Sequence, residues 1–116
     1  MLLASTLPGV NLLAVNVNHP SSFSALATTA ILHHYGKQDV PVGIRRPTTN
    51  ETFFDTYYYG MGEFASKVAY HWSNKSLKWD AFEDYWDAVS LYRKTLAEQN
   101  DGSVTIASLG FFENVD

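Results

Sequence analysis

Val10-Asn11-Leu12-Leu13-Ala14-Val15-Asn16-Val17-Asn18-His19-Pro20-Ser21-Ser22 is the stretch on which the reading of the whole chain turns. Val10 to Val17 is apolar except for Asn11 and Asn16. An apolar run without alternation is the pattern of a strand covered on both faces, as in a parallel sheet. The run stops at Asn18-His19-Pro20. Apolar residues then return at Phe23, Leu26, Ala27, Ala30 and Ile31, a spacing that puts all five on one helix face. Gly36 ends the helix, Lys37-Gln38-Asp39 turns the chain, and Val40-Pro41-Val42-Gly43-Ile44 opens a second extended run. Strand, helix and strand in about thirty residues make a βαβ unit, whose two strands must be parallel.

The rest of the chain is consistent with that start. Its 116 residues suffice for one small domain, and 46% apolar content excludes a disordered chain. The first charged residue is Lys37, so the N-terminal third reads as sheet interior. A net charge of −4 without a basic cluster gives nothing to attract nucleic acid or an anionic membrane. There are no cysteines, which excludes a disulfide framework, a thiolate zinc site and a thiol nucleophile but leaves the compartment open. Met1 to Gly9 lacks a basic n-region and is broken by Pro8-Gly9, so it reads as the end of a helix and not as a signal peptide. No run is long enough to span a bilayer, and a cytoplasmic location is the default.

Downstream, Arg45 to Asn50 reads as a loop, and Glu51 to Tyr59 as an aromatic loop or short helix. Met61, Phe64, Ala65, Val68, Ala69 and Trp72 form a helical stripe. A second helix is expected from Asp80, with Glu83 completing a capping box and an apolar face of Phe82, Tyr85, Trp86, Val89, Tyr92 and Leu96. Asn100-Asp101-Gly102 then turns into Ser103-Val104-Thr105-Ile106-Ala107-Ser108-Leu109, the expected third strand.

Open α/β sheets bind ligands beyond the carboxyl ends of their strands. That rule selects Asn18-His19-Pro20, Arg45-Arg46 and Leu109-Gly110-Phe111. Asn18 and His19 are the candidate substrate contacts; the competing reading makes His19 the helix cap, with Pro20 at the first helical position. His33 and His34 are adjacent and point to different helix faces, so they suit a helix C-terminus better than a metal site. His71 reads as a half-buried helix residue. The carboxylate pairs Glu51/Asp55 and Glu83/Asp87 have the spacing of solvated helix faces more than of a glycosidase acid and base.

Leu12-Leu13-Ala14-Val15-Asn16-Val17-Asn18 and, after the helix, Asp39-Val40-Pro41-Val42-Gly43-Ile44-Arg45-Arg46-Pro47 resemble the inosine/uridine-preferring nucleoside hydrolase family. That family has a strand L-L-G-I-T-T-V, a helix, then D-(I/V)-P-V-x-x-G-x-x-x-P. Ser103 to Asn114 is similar to its V-T-I-V-A-x-G-P-L-T-N. The resemblance implies an α/β domain with an open parallel sheet of nucleoside hydrolase (Rossmann-like) type and helices packed on it. It also implies one partial domain over residues 1–116, and it agrees with the apolar runs and βα spacing, which themselves require strands near 10–18, 39–44 and 103–109 to lie parallel in one sheet.

It further implies hydrolysis of the N-glycosidic bond of ribonucleosides, with a nucleoside or ribose-like ligand and a calcium ion held by an aspartate cluster, D-x-D-x-x-x-D-D. This chain contains no such cluster. It is expected to begin within the helix that carries the cluster's end, to bind no calcium and to be inactive by itself. No catalytic residue carries over. The family's asparagine after its second strand falls at Asn18, or slides to Ser21. The carbonyl that ligates the metal falls at Leu109. Phe111, Phe112 and Glu113 depart from P-L-T in that loop. An uncovered strand edge would favour self-association into a homo-oligomer. The alternative function is a non-catalytic α/β binding or protein-interaction module using the aromatic surface at 53–59.

Overall fold

The computed structural model describes residues 4, 6–19, 21–48, 61–72 and 85–109. Along the chain come β1 (Val15–Val17), α1 (Ser22–His34), β2 (Val42–Ile44), α2 (Met61–Trp72), β3 (Trp86–Asp87) and α3 (Ala88–Ala97). Among the described residues the strands form one sheet in the order β1-β2-β3, both pairs parallel. The protein is therefore α/β, with the predicted βαβ unit at its centre.

The paired strands are shorter than the apolar runs. Val15 aligns with Val42 and Val17 with Ile44, and the Val15 amide donates to Pro41 O at 3.1 Å. Proline has no N–H of its own, so the ladder stops there. Residues 10–14 and 39–41 flank the sheet without regular structure.

Two layers of helix lie on one face and one on the other. Gly43 faces Ala88 and Leu91 of α3, so Val42 and Ile44, its neighbours, point to the opposite side, where α1 packs. α2 packs on the outside of α1. Sandwiched between sheet and α2, α1 is buried well beyond its predicted stripe. Leu26, Ala27 and Ala30 are buried as expected, and so are Ala25 and Leu32. This two-sided burial accounts for the absence of charge along the helix. Thr28 and Thr29 return their hydroxyls to Ser24 O and Ala25 O at 2.8 and 3.1 Å, which keeps them compatible with that setting.

Gly36 ends α1 as predicted, at φ +66°. Its amide donates to His33 O at 3.0 Å and that of Lys37 to Leu32 O at 2.8 Å, the paired bonds of a Schellman turn. The start of α1 differs from expectation. Ser21, not His19, is the N-cap, and its side chain makes no capping bond.

α2 matches its predicted span, but its buried stripe is narrower. Ala69 is fully buried and Ala65 and Val68 pack against the α1 core, whereas Phe64 and Trp72 are 63% and 67% exposed. Among the described elements only α1 contacts this helix closely, so one row of small residues is covered there. His71 is exposed rather than half-buried.

The largest departures lie after residue 84. The expected helix from Asp80 instead begins at Ala88, and the preceding Trp86 and Asp87 form β3, aligned with Gly43 and Ile44. Asp87 is the N-cap, accepting from the Ser90 amide and hydroxyl at 3.0 Å each. The capping-box residues Asp80 and Glu83 lie outside the described residues. Moving the start rotates the buried face to Ala88 and Leu91 and leaves Trp86 and Val89 exposed. Residues 103–109 are not the third strand: they carry no regular structure and pair with none of the sheet. β3 already occupies the edge of the sheet beside β2.

Candidate functional site

The parallel sheet brings three chain exits together at its carboxyl end: Asn18-His19 after β1, Arg45-Arg46 after β2, and the β3–α3 junction at Asp87. The first two are stitched by the backbone, since the Arg45 amide donates to Val17 O at 3.1 Å. Asn18 and Arg45 therefore leave adjacent strands side by side. Arg46 turns back instead, donating from Nη2 to Tyr85 O at 2.9 Å, and so ties the β2 exit to β3. Asp87 is occupied in capping α3.

His19 is exposed at the rim, yet partial burial of its ring lowers the imidazole pKa below 6.5. A base with a lowered pKa is neutral at pH 7, offering one donor and one acceptor nitrogen. Beside it the Asn18 Oδ1 is buried without a hydrogen-bond partner, and Arg45 is exposed at the adjoining strand exit.

Behind this rim the sheet is braced by polar groups that sequence reasoning passed over. Asn16 donates from Nδ2 to Ala88 O at 3.1 Å, crossing over Gly43 to reach α3. Its Oδ1 is buried without a hydrogen-bond partner. The signal was present as a lone polar residue in an apolar strand opposite a glycine. Tyr85 shares a hydrogen bond of 2.8 Å with Thr29 of α1 and packs on the Leu26 cluster. Burial raises its phenol pKa above 10.0, opposed by the Thr29 bond.

A phenol held at a raised pKa contributes stability that is present in full below the unfolded value, about 10, and is lost as pH climbs through the folded value. Tyr85→Phe is expected to cost about 1 kcal/mol at neutral pH through the lost hydrogen bond. It should also flatten the alkaline loss of stability. Urea denaturation from neutral pH to about pH 11 tests both, and an unchanged alkaline limb would contradict the assignment.

The other predicted residues fall elsewhere. Leu109 is 89% exposed and on no strand, so the sheet does not set its carbonyl at a strand end. His33 and His34 sit in the last turn of α1, exposed, as the dipole reading expected. Residues 51–59, with the Glu51/Asp55 pair and the aromatic run, lie outside the described residues, as does Glu83. No three His, Asp or Glu among the described residues are grouped to hold a metal, and an exposed carbonyl with one amide does not fit calcium's need for six to eight oxygens.

An open groove of about 530 Å³, lined by Phe23, Ser66, Lys67, Tyr70 and His71 between α1 and α2, shares no residue with the strand ends. No described helix is long and apolar enough to cross a membrane. Compared with known proteins, the chain matches no protein-family model, no curated protein and no solved structure.

Proposed function

We propose that this chain is a nucleoside hydrolase-like α/β domain that holds the ribose of a nucleoside at the carboxyl ends of β1 and β2 and does not itself cleave the N-glycosidic bond. The observation that carries the reading is the juxtaposition of Asn18 and Arg45 at the ends of two adjacent parallel strands, where open α/β sheets bind their ligands. His19 follows Asn18 at the same strand exit, and its imidazole, with a pKa lowered by partial burial, offers one donor and one acceptor nitrogen that a sugar hydroxyl can use. The strand motifs that resemble the family flank these positions on both sides.

Cleavage is a different matter from binding. Departure of the base leaves an oxocarbenium-like sugar, which needs nearby carboxylates and an activated water. Asp87, the carboxylate at the β3 exit, is engaged in capping α3, and neither Asn18, Arg45 nor the Leu109 carbonyl supplies another. The chain is therefore expected to bind calcium no more tightly than roughly millimolar, the weak end of protein calcium sites, and to release no ribose from inosine or uridine. Titration calorimetry with calcium and a reducing-sugar assay measure the two halves. Micromolar binding or sustained turnover would overturn the non-hydrolytic reading and point to carboxylates such as Glu51, Asp55 or Glu113.

A further inference from the structure

We propose that a second copy of this chain docks on the open edge of β1 through residues 103–109, each copy adding a strand to the other's sheet. The proposal is independent of the ligand reading. β1 bonds to β2 through Val15, whose amide donates to Pro41 O, and through Val17, whose carbonyl accepts from the Arg45 amide. Alternate residues of a strand direct their backbone groups to opposite edges. The Asn16 N–H and C=O thus face away from β2, on an edge where no described strand lies.

Ser103 to Leu109 supplies what that edge lacks. The segment has Val104, Thr105 and Ile106 in succession, residues favoured in strands, and no charge. It nevertheless lies off the sheet, with Ile106 52% exposed and Leu109 89% exposed. Ser103 is held back to Asn100 by its amide and hydroxyl, at 3.1 and 2.7 Å. Beyond it no described strand receives the backbone groups of 104–109.

Edge strands are commonly protected from pairing by charged side chains, especially lysine, or by proline within the edge. β1 has neither: it is short, three residues with one outward pair of backbone groups at Asn16, but no charged residue precedes Lys37. Both halves of the contact are therefore uncharged, both carry backbone groups that no described strand pairs, and both belong to this chain. Reciprocal exchange about a two-fold axis satisfies the two edges together and closes the assembly at a dimer.

The test uses the full chain and two variants, Ile106→Pro and Ile106→Lys. Because the segment lies off the sheet in the single copy, neither change should alter circular dichroism or Tm at low concentration. Sedimentation velocity should show wild-type protein moving from the 13.0 kDa protomer to twice that mass as concentration rises. Each variant should raise the dimer Kd by at least about tenfold, through the lost donor or the charge placed in the edge. Amide exchange at 104–109 should slow with concentration in the wild type alone. A monomer at all concentrations, or a dimer that survives both substitutions, would overturn the proposal. So would protection at 104–109 that does not depend on concentration, since that would mean the segment closes on its own sheet.

Discussion

Gly43→Ala is expected to destabilise the fold by roughly 3 kcal/mol, a drop in Tm of about 10–15 °C. A Cβ at position 43 would lie 2.2 Å from Asn16 Oδ1, 3.0 Å from Ala88 Cα and 3.1 Å from Leu91 Cδ2. The first of these atoms ends a side chain that can swing away, but only by breaking its bond from Nδ2 to Ala88 O. The second is backbone, and relief there means moving α3 off the sheet. Two effects therefore add: overpacking on the central strand, and loss of the polar brace between β1 and α3. In an Asn16→Ala background the same substitution should cost less, because one of the two obstructions is already gone. Equal costs in both backgrounds, read by urea denaturation, would show that Asn16 and Gly43 are not coupled.

This glycine also marks how far the sequence could be read. The βαβ unit was legible because two local signals agreed, an apolar run and a helical spacing joined by a glycine turn. The start of α3 was not. Asp80 with Glu83 and Asp87 with Ser90 are both reasonable caps, and the choice between them lies in a tertiary contact, the pairing of Trp86 and Asp87 with Gly43 and Ile44. Two residues of strand have no periodicity to detect. Residues 103–109 failed for a related reason: β-branched composition records a preference for a pleated surface and cannot say whether an edge is available.

Leu26→Ala is expected to cost roughly 3–4 kcal/mol, within the range found for large-to-small changes in closed cores. Leu26 is 2% exposed and sits in a cluster with Ala27, Ala30 and Ala69, flanked by Phe23, Ala65, Val68 and Tyr85. The neighbours on both helices are mostly alanines, whose short side chains cannot reach into the space left behind. The cavity should therefore stay largely open. Since natural domains have only about 5–15 kcal/mol of net stability, the loss would remove a large share of it. Ala30→Gly, nearby but smaller, should cost only about 1 kcal/mol, mainly through helix propensity. Comparable losses for the two would mean that α1 does not form the centre of the core.

At the strand ends, Asn18 and His19 were singled out by the rule that ligands meet parallel strands at their carboxyl ends, and the backbone sets Asn18 next to Arg45 there. The fates of Arg46 and Asp87 were not legible. Both look like free charges in sequence, yet one is bonded to Tyr85 O and the other to Ser90. Leu109 could be chosen only through the V-T-I-V-A-x-G resemblance, and that alignment assumes a strand which 103–109 does not form. Long-range partners of this kind lie tens of residues apart and leave no local trace.

The most direct test of the ligand reading is a titration of isotope-labelled protein with inosine, followed residue by residue through backbone amide shifts. The account predicts saturable shifts centred on Asn18, His19 and Arg45, with ribose alone moving the same amides and with His19→Ala weakening the effect several-fold. Shifts confined to Phe23, Lys67 and Tyr70 in the α1–α2 groove, or no saturable shift up to millimolar inosine, would contradict it.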